Sequence, residues 1–411
     1  MSSSINNPEK RFWFGIDSHV ELPEDATCVG NTTVDEDDVD FVAKSTREAL
    51  RTPVEYPPLA DVTISEDEIA IVLEDSVPCV ADVLSGLIDE LLATGTTPER
   101  ISVVMSPTNA LSAASVLRRV DSSVRNSIRV IEHNPDDKEQ LSYLGPTKSG
   151  EPVYINRQIF DADVVIPVGT IKRPRLAGNF GVCGSVYPWF SNRETLKRFQ
   201  SPTSSSTKAK RKALRDETRE VSWMMGTRMT IQVVPGPGEN AFRVLAGDAA
   251  AVGKQGREIF QAFWGDEVPN RASLVIAAVA GDQHQQTWAS FARTLDAALR
   301  VVEEDGTIAI CSNLKSRPGP SLRKLVDAES IELAARAIRR DTSPDALPAS
   351  RLAKALQRVR IYLYSQLDEE IVEDLGIAYV AHKEEISRLA SRHKSCIGIA
   401  NGQYALLEVK E

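Results

Sequence analysis

Histidine is scarce in this chain. The 411 residues hold five, at positions 19, 133, 284, 382 and 393. That scarcity confines proton transfer and imidazole–metal chemistry to few places. Cysteine is as sparse: Cys28, Cys79, Cys183, Cys311 and Cys396. The number is odd and no CxxC pair occurs, which argues against a disulfide framework and against a zinc finger. No apolar run is long enough to span a bilayer. The N-terminus, MSSSINNPEKRFW, lacks the apolar core of a signal peptide, so the expected compartment is the cytoplasm. A basic excess is missing too. Lys plus Arg is 48 against 58 Asp plus Glu, a net charge of −10. With no basic tail, this balance excludes a general nucleic-acid binder or a binder of anionic membranes.

What is present is ordinary globular composition at a length that suits two domains. Short β-branched runs alternate with amphipathic ones. Strands are expected at 69–73, 101–105, 127–131 and 163–168, and again at 273–280, 307–311, 358–364, 395–400 and 404–409. Helices are expected at 81–93, 110–120 and 286–302. This alternation predicts an α/β protein with mainly parallel sheets covered on both faces. Residues 201–220 are polar throughout and interrupt the rhythm. Their basic half, 208–215, reads as a solvated loop leading into a helix or as an anion site. The expected domains are 1–220 and 221–411.

In open parallel sheets, ligands sit at the carboxyl ends of the strands, so the loops there carry the functional reading. Glu74 and Asp75 follow the first strand. They are a carboxylate pair for metal or acid–base work, or Asp75 or Ser76 caps the next helix. The loop at 106–110 offers small polar groups suited to capping. The most unusual stretch is GTIKRPRLAGNFGVCGSVYP, 169–188. Lys172, Arg173 and Arg175 crowd together there, followed by glycines at every third position, a backbone suited to an anion or phosphate. It is neither GxGxxG nor a Walker loop. Cys183 beside the last glycine reads as a nucleophile or soft metal ligand whose pKa basic neighbours lower, or as a small buried filler. Asp282 and His284 form the one close Asp/His pair on such a loop. On the helix that follows, Ser290 and Arg293 lie three apart, with Arg293 placed to clamp a carboxylate or to make a surface ion pair.

The order of segments resembles the LarA-type lactate racemase family, whose members use a nickel-pincer nucleotide. The resemblance runs through RTPVEYPPLAD at 51–61, EDSVP at 74–78, HNPDDKEQLSYLGPTKSGEPVYIN at 133–156 and DADVVIPVGTIKRPRLAGNFG at 161–181. It continues in YPWFSNRETLKRF at 187–199, RVLAGD at 243–248 and LYSQLDEEIVEDLGI at 363–377. It implies two α/β domains with an active site in the cleft between them. In the family, a hydride leaves the substrate's α-carbon for the pincer ring while paired histidines move the hydroxyl proton. Here the family's DxTRP arginine falls on Val77 and its GTHR histidine on Ala110. The PHxxAG histidine falls on Pro174, the cofactor-tethering lysine on Gly184 and the nickel-ligating histidine on Gln200. The glutamine and lysine of the second domain fall on Ser290 and Arg293. Ala110 and Pro174 carry no protons, and Gly184 forms no covalent link, so a covalent nickel-pincer nucleotide is expected to be absent and no metal site is expected.

The resemblance therefore implies a lactate racemase-like scaffold with a degenerate site. The expected ligand is a small anion, a 2-hydroxy acid or nucleotide-like molecule, held by Glu74, Asp75, Lys172, Arg173, Arg175, Asn179, Gln200, Asp282 and Ser290. Catalytic candidates are Cys183, His284 and Arg293. Two alternatives stand beside it: an active hydroxy-acid racemase or epimerase rebuilt around Cys183 and His284, and a structural partner of an active paralogue. Neither nucleic acid nor membrane is an expected partner, and the oligomeric state is open.

Overall fold

The computed structural model describes residues 11–30, 40–107, 111–173, 178–238 and 240–410. Two six-stranded sheets carry the molecule. The first, in spatial order, comprises Ala241–Asp248, Met229–Pro235, Val164–Thr170, Ile69–Leu73, Ile101–Met105 and Arg129–Glu132. All its neighbours are parallel except the antiparallel edge pair Met229–Pro235 and Ala241–Asp248. The second comprises Ala378–Tyr379, Arg360–Tyr364, Val302–Cys311, Ala272–Ala278, Cys396–Ile399 and Thr27–Val29, all parallel. The protein is thus α/β with mainly parallel sheets.

Period-two alternation explains why such apolar strands are buried on both sides. Ile69, Ile71 and Leu73 face one apolar cluster, which the helices Phe41–Arg51 and Val80–Ala93 cover, while Val72 faces another, with Phe180, Tyr187 and Phe199. In the second sheet Val275 and Ala277 face the helix Trp288–Val301, and Leu274 and Ile276 face the hairpin Arg11–Phe14/Ser18–Glu21. The helix Ala249–Trp264 bridges the sheets. Phe260 and Trp264 pack with Ile171 of the first part and Tyr404 of the second.

Sheet membership does not change at residue 220. Met229–Pro235 and Ala241–Asp248 lie beyond it yet complete the first sheet, and Thr27–Val29 precedes it yet joins the second. Hydropathy within a strand says that it is buried, not which sheet buries it. The polar stretch after 200 is only partly loop: Thr207 caps a 17-residue helix, Lys208–Met224. The expected helix 110–120 contains just one described helical turn, Ala113–Val116. No helix among the described residues is long and apolar enough to cross a membrane.

Candidate functional site

The carboxyl ends of Ile69–Leu73 and Val164–Thr170 are neighbours, which brings Glu74 beside the 170–173 loop. Glu74 is buried. Its Oε2 accepts from the Thr170 N–H at 3.1 Å and the Ser185 hydroxyl at 3.4 Å, and its Oε1 takes the Lys172 ammonium. Gln232 extends this network, donating to Ser185 Oγ at 3.2 Å and Thr230 Oγ1 at 2.9 Å. Gly169 makes the convergence possible. A Cβ there would lie 2.3 Å from Ser185 Oγ and 2.7 Å from Glu74 Oε2. Such a carboxylate is committed to its partners. The next residues turn through two left-handed positions, Ser76 at φ 60° and Cys79 at φ 49°. Cys79, without a side-chain cap bond, stands before the helix Val80–Ala93, so neither Asp75 nor Ser76 is its cap.

The second domain brings the loop 280–287 to the same cleft. Asp282 Oδ1 accepts from the His284 N–H at 2.7 Å, and Asp282 Oδ2 lies 3.8 Å from His284 Nε2. Asp75, Asp82, Arg118, Asn240, Asp282 and His284 line a cavity of about 260 Å³ there. Thr287 caps the helix Trp288–Val301 through the Ser290 N–H. Arg293 Nη2 donates to Ser290 Oγ at 2.9 Å. Its buried Nε has no hydrogen-bond partner, and no carboxylate among the described residues pairs with it. Burial pulls the Arg293 pKa down, while the charges of Asp75 and Glu74 hold it up. The cavity therefore offers hydrogen-bond acceptors, and Arg293, on the helix that the lining residue Thr287 caps, keeps a poorly satisfied guanidinium outside the lining itself.

Several residues read as ligand contacts have other employment. Arg173 is buried, with Nη2 on Asp296 of the second domain and Nη1 donating to the Ala405 carbonyl at 3.3 Å. Arg351 Nη1 shares the same carboxylate at 2.8 Å. Burial pushes the Arg173 pKa down to about 10 despite Asp296. Arg173 is thus a bridge between the domains, not an open anion hook. Asn179 holds its own loop, donating to the Arg173 carbonyl at 2.9 Å and accepting from the Gly181 N–H at 2.9 Å. Burial raises the Cys183 thiol, opposite to the direction its basic neighbours suggested. Cys183 is not among the residues lining the His284 cavity. Gln200, half-buried, ends the helix Arg193–Gln200. Arg175, Ala110 and Pro174 lie outside the described residues.

Three of the other histidines have structural places. His133 is buried, bonded to the Ser191 carbonyl at 2.8 Å through Nε2 and to Asn156 Nδ2 at 3.0 Å through Nδ1. Desolvation lowers its pKa. His19 lies in the strand Ser18–Glu21 with its ring 4.9 Å from Trp13, and His382 begins the helix Lys383–Ala390.

A tethered pincer nucleotide fits these residues poorly. Gly184 is buried, and a Cβ on it would meet Phe180 Cβ at 2.9 Å, in a ring cluster with Phe199. A long side chain there needs Phe180 to move. Among the described residues no three His, Cys, Asp or Glu groups come together to hold a metal.

Residues 17–210 match the model of the lactate racemase N-terminal domain. The fold is similar to that of the lactate racemase apoprotein from Thermoanaerobacterium thermosaccharolyticum. The TM-score is 0.80 at 16% identity, over 98% of this chain and 99% of that one. A crystal structure of a Thermotoga maritima protein is similar with a TM-score of 0.66 at 12% identity, over 90% of this chain and 98% of that one. Among curated proteins, none matches this chain in sequence.

Proposed function

We propose that this chain, whose residues 17–210 match the lactate racemase N-terminal domain, is a lactate racemase-like protein that binds a small hydroxy acid between its domains without performing lactate racemisation. The observation that carries this reading is Arg293. It is a guanidinium with a buried, unpartnered Nε and no ion-paired carboxylate among the described residues. Leaving a buried donor unsatisfied costs about 1–3 kcal/mol, which a ligand carboxylate would recover. The acidic lining matters equally. Asp75, Asp82 and Asp282 repel a bare anion, but they accept hydrogen bonds from a hydroxyl next to the carboxylate. A 2-hydroxy acid satisfies both sides; an inorganic anion satisfies one.

The degenerate chemistry rests on the replaced positions. Ala110 and Pro174 move no proton, and Gly184 offers no amine for a tether. Cys183 is a weak substitute nucleophile, because desolvation favours its thiol over the thiolate. His284 remains the one imidazole on the cleft, where it is paired with Asp282.

Thermal unfolding with a panel of 2-hydroxy acids tests the binding. A ligand at a hundred times its Kd stabilises by about 2.7 kcal/mol. The response should disappear in Arg293→Met and weaken in Asp282→Asn. No stabilisation by any hydroxy acid, or the same stabilisation in Arg293→Met, would sink the reading. For the chemistry, a single lactate enantiomer should stay unconverted after co-expression with the cofactor-making enzymes, and intact mass should equal that of the bare chain. Racemisation, or added mass, would overturn it.

A further inference from the structure

A second cavity, of about 580 Å³, lies between the segment 202–211 and the helices Ile331–Arg339 and Ala346–Leu356. Five cations line it, Arg211, Arg336, Arg339, Arg351 and Lys354, against one carboxylate, Glu332. That concentration sits on a chain of net charge −10. Two of the five are engaged. Arg351 leans on Asp296, which it shares with Arg173, and Arg211 Nη1 donates to the Ser205 carbonyl at 2.8 Å. Arg336, Arg339 and Lys354 have no ion-pair partner among the described residues. Desolvation and the charges of Arg351 and Arg339 push the Lys354 pKa down, as expected where cations crowd one another.

We infer that this cavity binds a phosphorylated small metabolite carrying at least two negative charges. Guanidinium forks match the oxygens of a phosphate, and several of them together favour a multiply charged group over a single carboxylate. The volume falls within the range of small-molecule sites. Thr203, Ser205, Ser206 and Ser350 line the rest, and no aromatic ring does so among the described residues. A hydroxylated body, as in a sugar phosphate, therefore suits the cavity better than a stacked base. The site shares no lining residue with the His284 cavity and does not depend on the reading given for that cavity. Its walls come from both sides of the domain junction, where Thr203 Oγ1 already donates to the Arg339 carbonyl at 2.5 Å. Bound phosphate would fasten that junction.

Calorimetric titration of the full chain with inorganic pyrophosphate and with a hexose bisphosphate tests this, with the unphosphorylated hexose and sulfate at equal ionic strength as controls. Both phosphate probes should bind, and affinity should fall at least about tenfold in Arg336→Ala/Arg339→Ala, a loss of two charge-assisted contacts. Arg336→Lys/Arg339→Lys should keep part of it. Lys354→Met should weaken both probes as well, which provides a variant on a different helix. Arg293→Met should leave phosphate binding unchanged. Absence of binding, equal binding in the double alanine variant, or equal response to sulfate would overturn the proposal.

Discussion

Two places in this molecule concentrate positive charge, and they use it differently. Around the first sheet's strand ends, Lys172 and Arg173 are absorbed internally, the one by Glu74 and the other by Asp296 and the Ala405 carbonyl. At the cavity beside the helices Ile331–Arg339 and Ala346–Leu356, Arg336, Arg339 and Lys354 have no ion-paired carboxylate among the described residues. The first cluster is conspicuous in the sequence because its cations are adjacent. The second is dispersed across 211–354 and becomes a cluster only when helices from both domains converge. Adjacency in sequence marks a loop that needs counter-charges; convergence in space marks a surface left for a ligand. The distinction is energetic. A buried cation must find a partner within the fold, whereas an exposed one has water until an anion arrives.

The sharpest way to break this comparison is Arg173→Ala. If Arg173 is a bridge, its removal leaves Asp296 with Arg351 alone and should destabilise the chain by about 3–5 kcal/mol, the cost of breaking a buried pair. The urea midpoint would fall, while binding of hydroxy acids to the remaining folded protein persists. An unchanged midpoint with lost binding would instead make Arg173 a ligand contact. Next in size is Gly184→Lys. Its Cβ collides with Phe180, so it should destabilise by about 1–3 kcal/mol through overpacking, read in the same urea experiment. A variant as stable as the parent would show that the family's lysine position is still open in this chain.

Much of the fold was legible. The strands 69–73 and 101–105 coincide with Ile69–Leu73 and Ile101–Met105, since apolar runs of five between helices, broken only by Ser102, have little else to become. The helix Val80–Ala93 and the C-terminal strands follow from the same patterning. What stayed hidden was membership. Thr27–Val29 has no hydropathic label assigning it to the second sheet, and its neighbour Cys396–Ile399 lies at the other end of the chain. The candidate site was half legible. Asp282 and His284 were identified from the loop and line the cavity, while Ser290 and Arg293 bond each other on the helix that follows. The roles of Arg173, Asn179 and Cys183 were not legible, because burial and long-range partners decide them. Arg336, Arg339 and Lys354 gave no signal beyond exposed helical cations, which usually mean a solvated face.

A smaller effect separates buried from exposed histidine. His133 is kept neutral by burial, so its folded pKa lies below the ordinary 6.5. The unfolded chain then binds more protons, and stability falls as the pH drops from about 6.5 toward the lowered value. Above that window the contribution is complete. In His133→Gln that part of the pH dependence should vanish from urea midpoints measured across the range. Its persistence would move the effect to another group.

The smallest expected effect completes the contrast with Arg173. Arg336 and Arg339 lie exposed on the helix Ile331–Arg339, and neither is ion-paired among the described residues. Replacing both with alanine should change stability by no more than about 0.5 kcal/mol without ligand, because water solvates an exposed guanidinium well and alanine favours a helix. With saturating pyrophosphate, the parent should gain stability that the double variant lacks. Two arginines that matter only when an anion is present, beside one that matters at all times, would tie the difference between the two clusters to burial. A double variant that unfolds as readily as Arg173→Ala would erase the difference, because the second cavity's cations would then be holding the fold together as well.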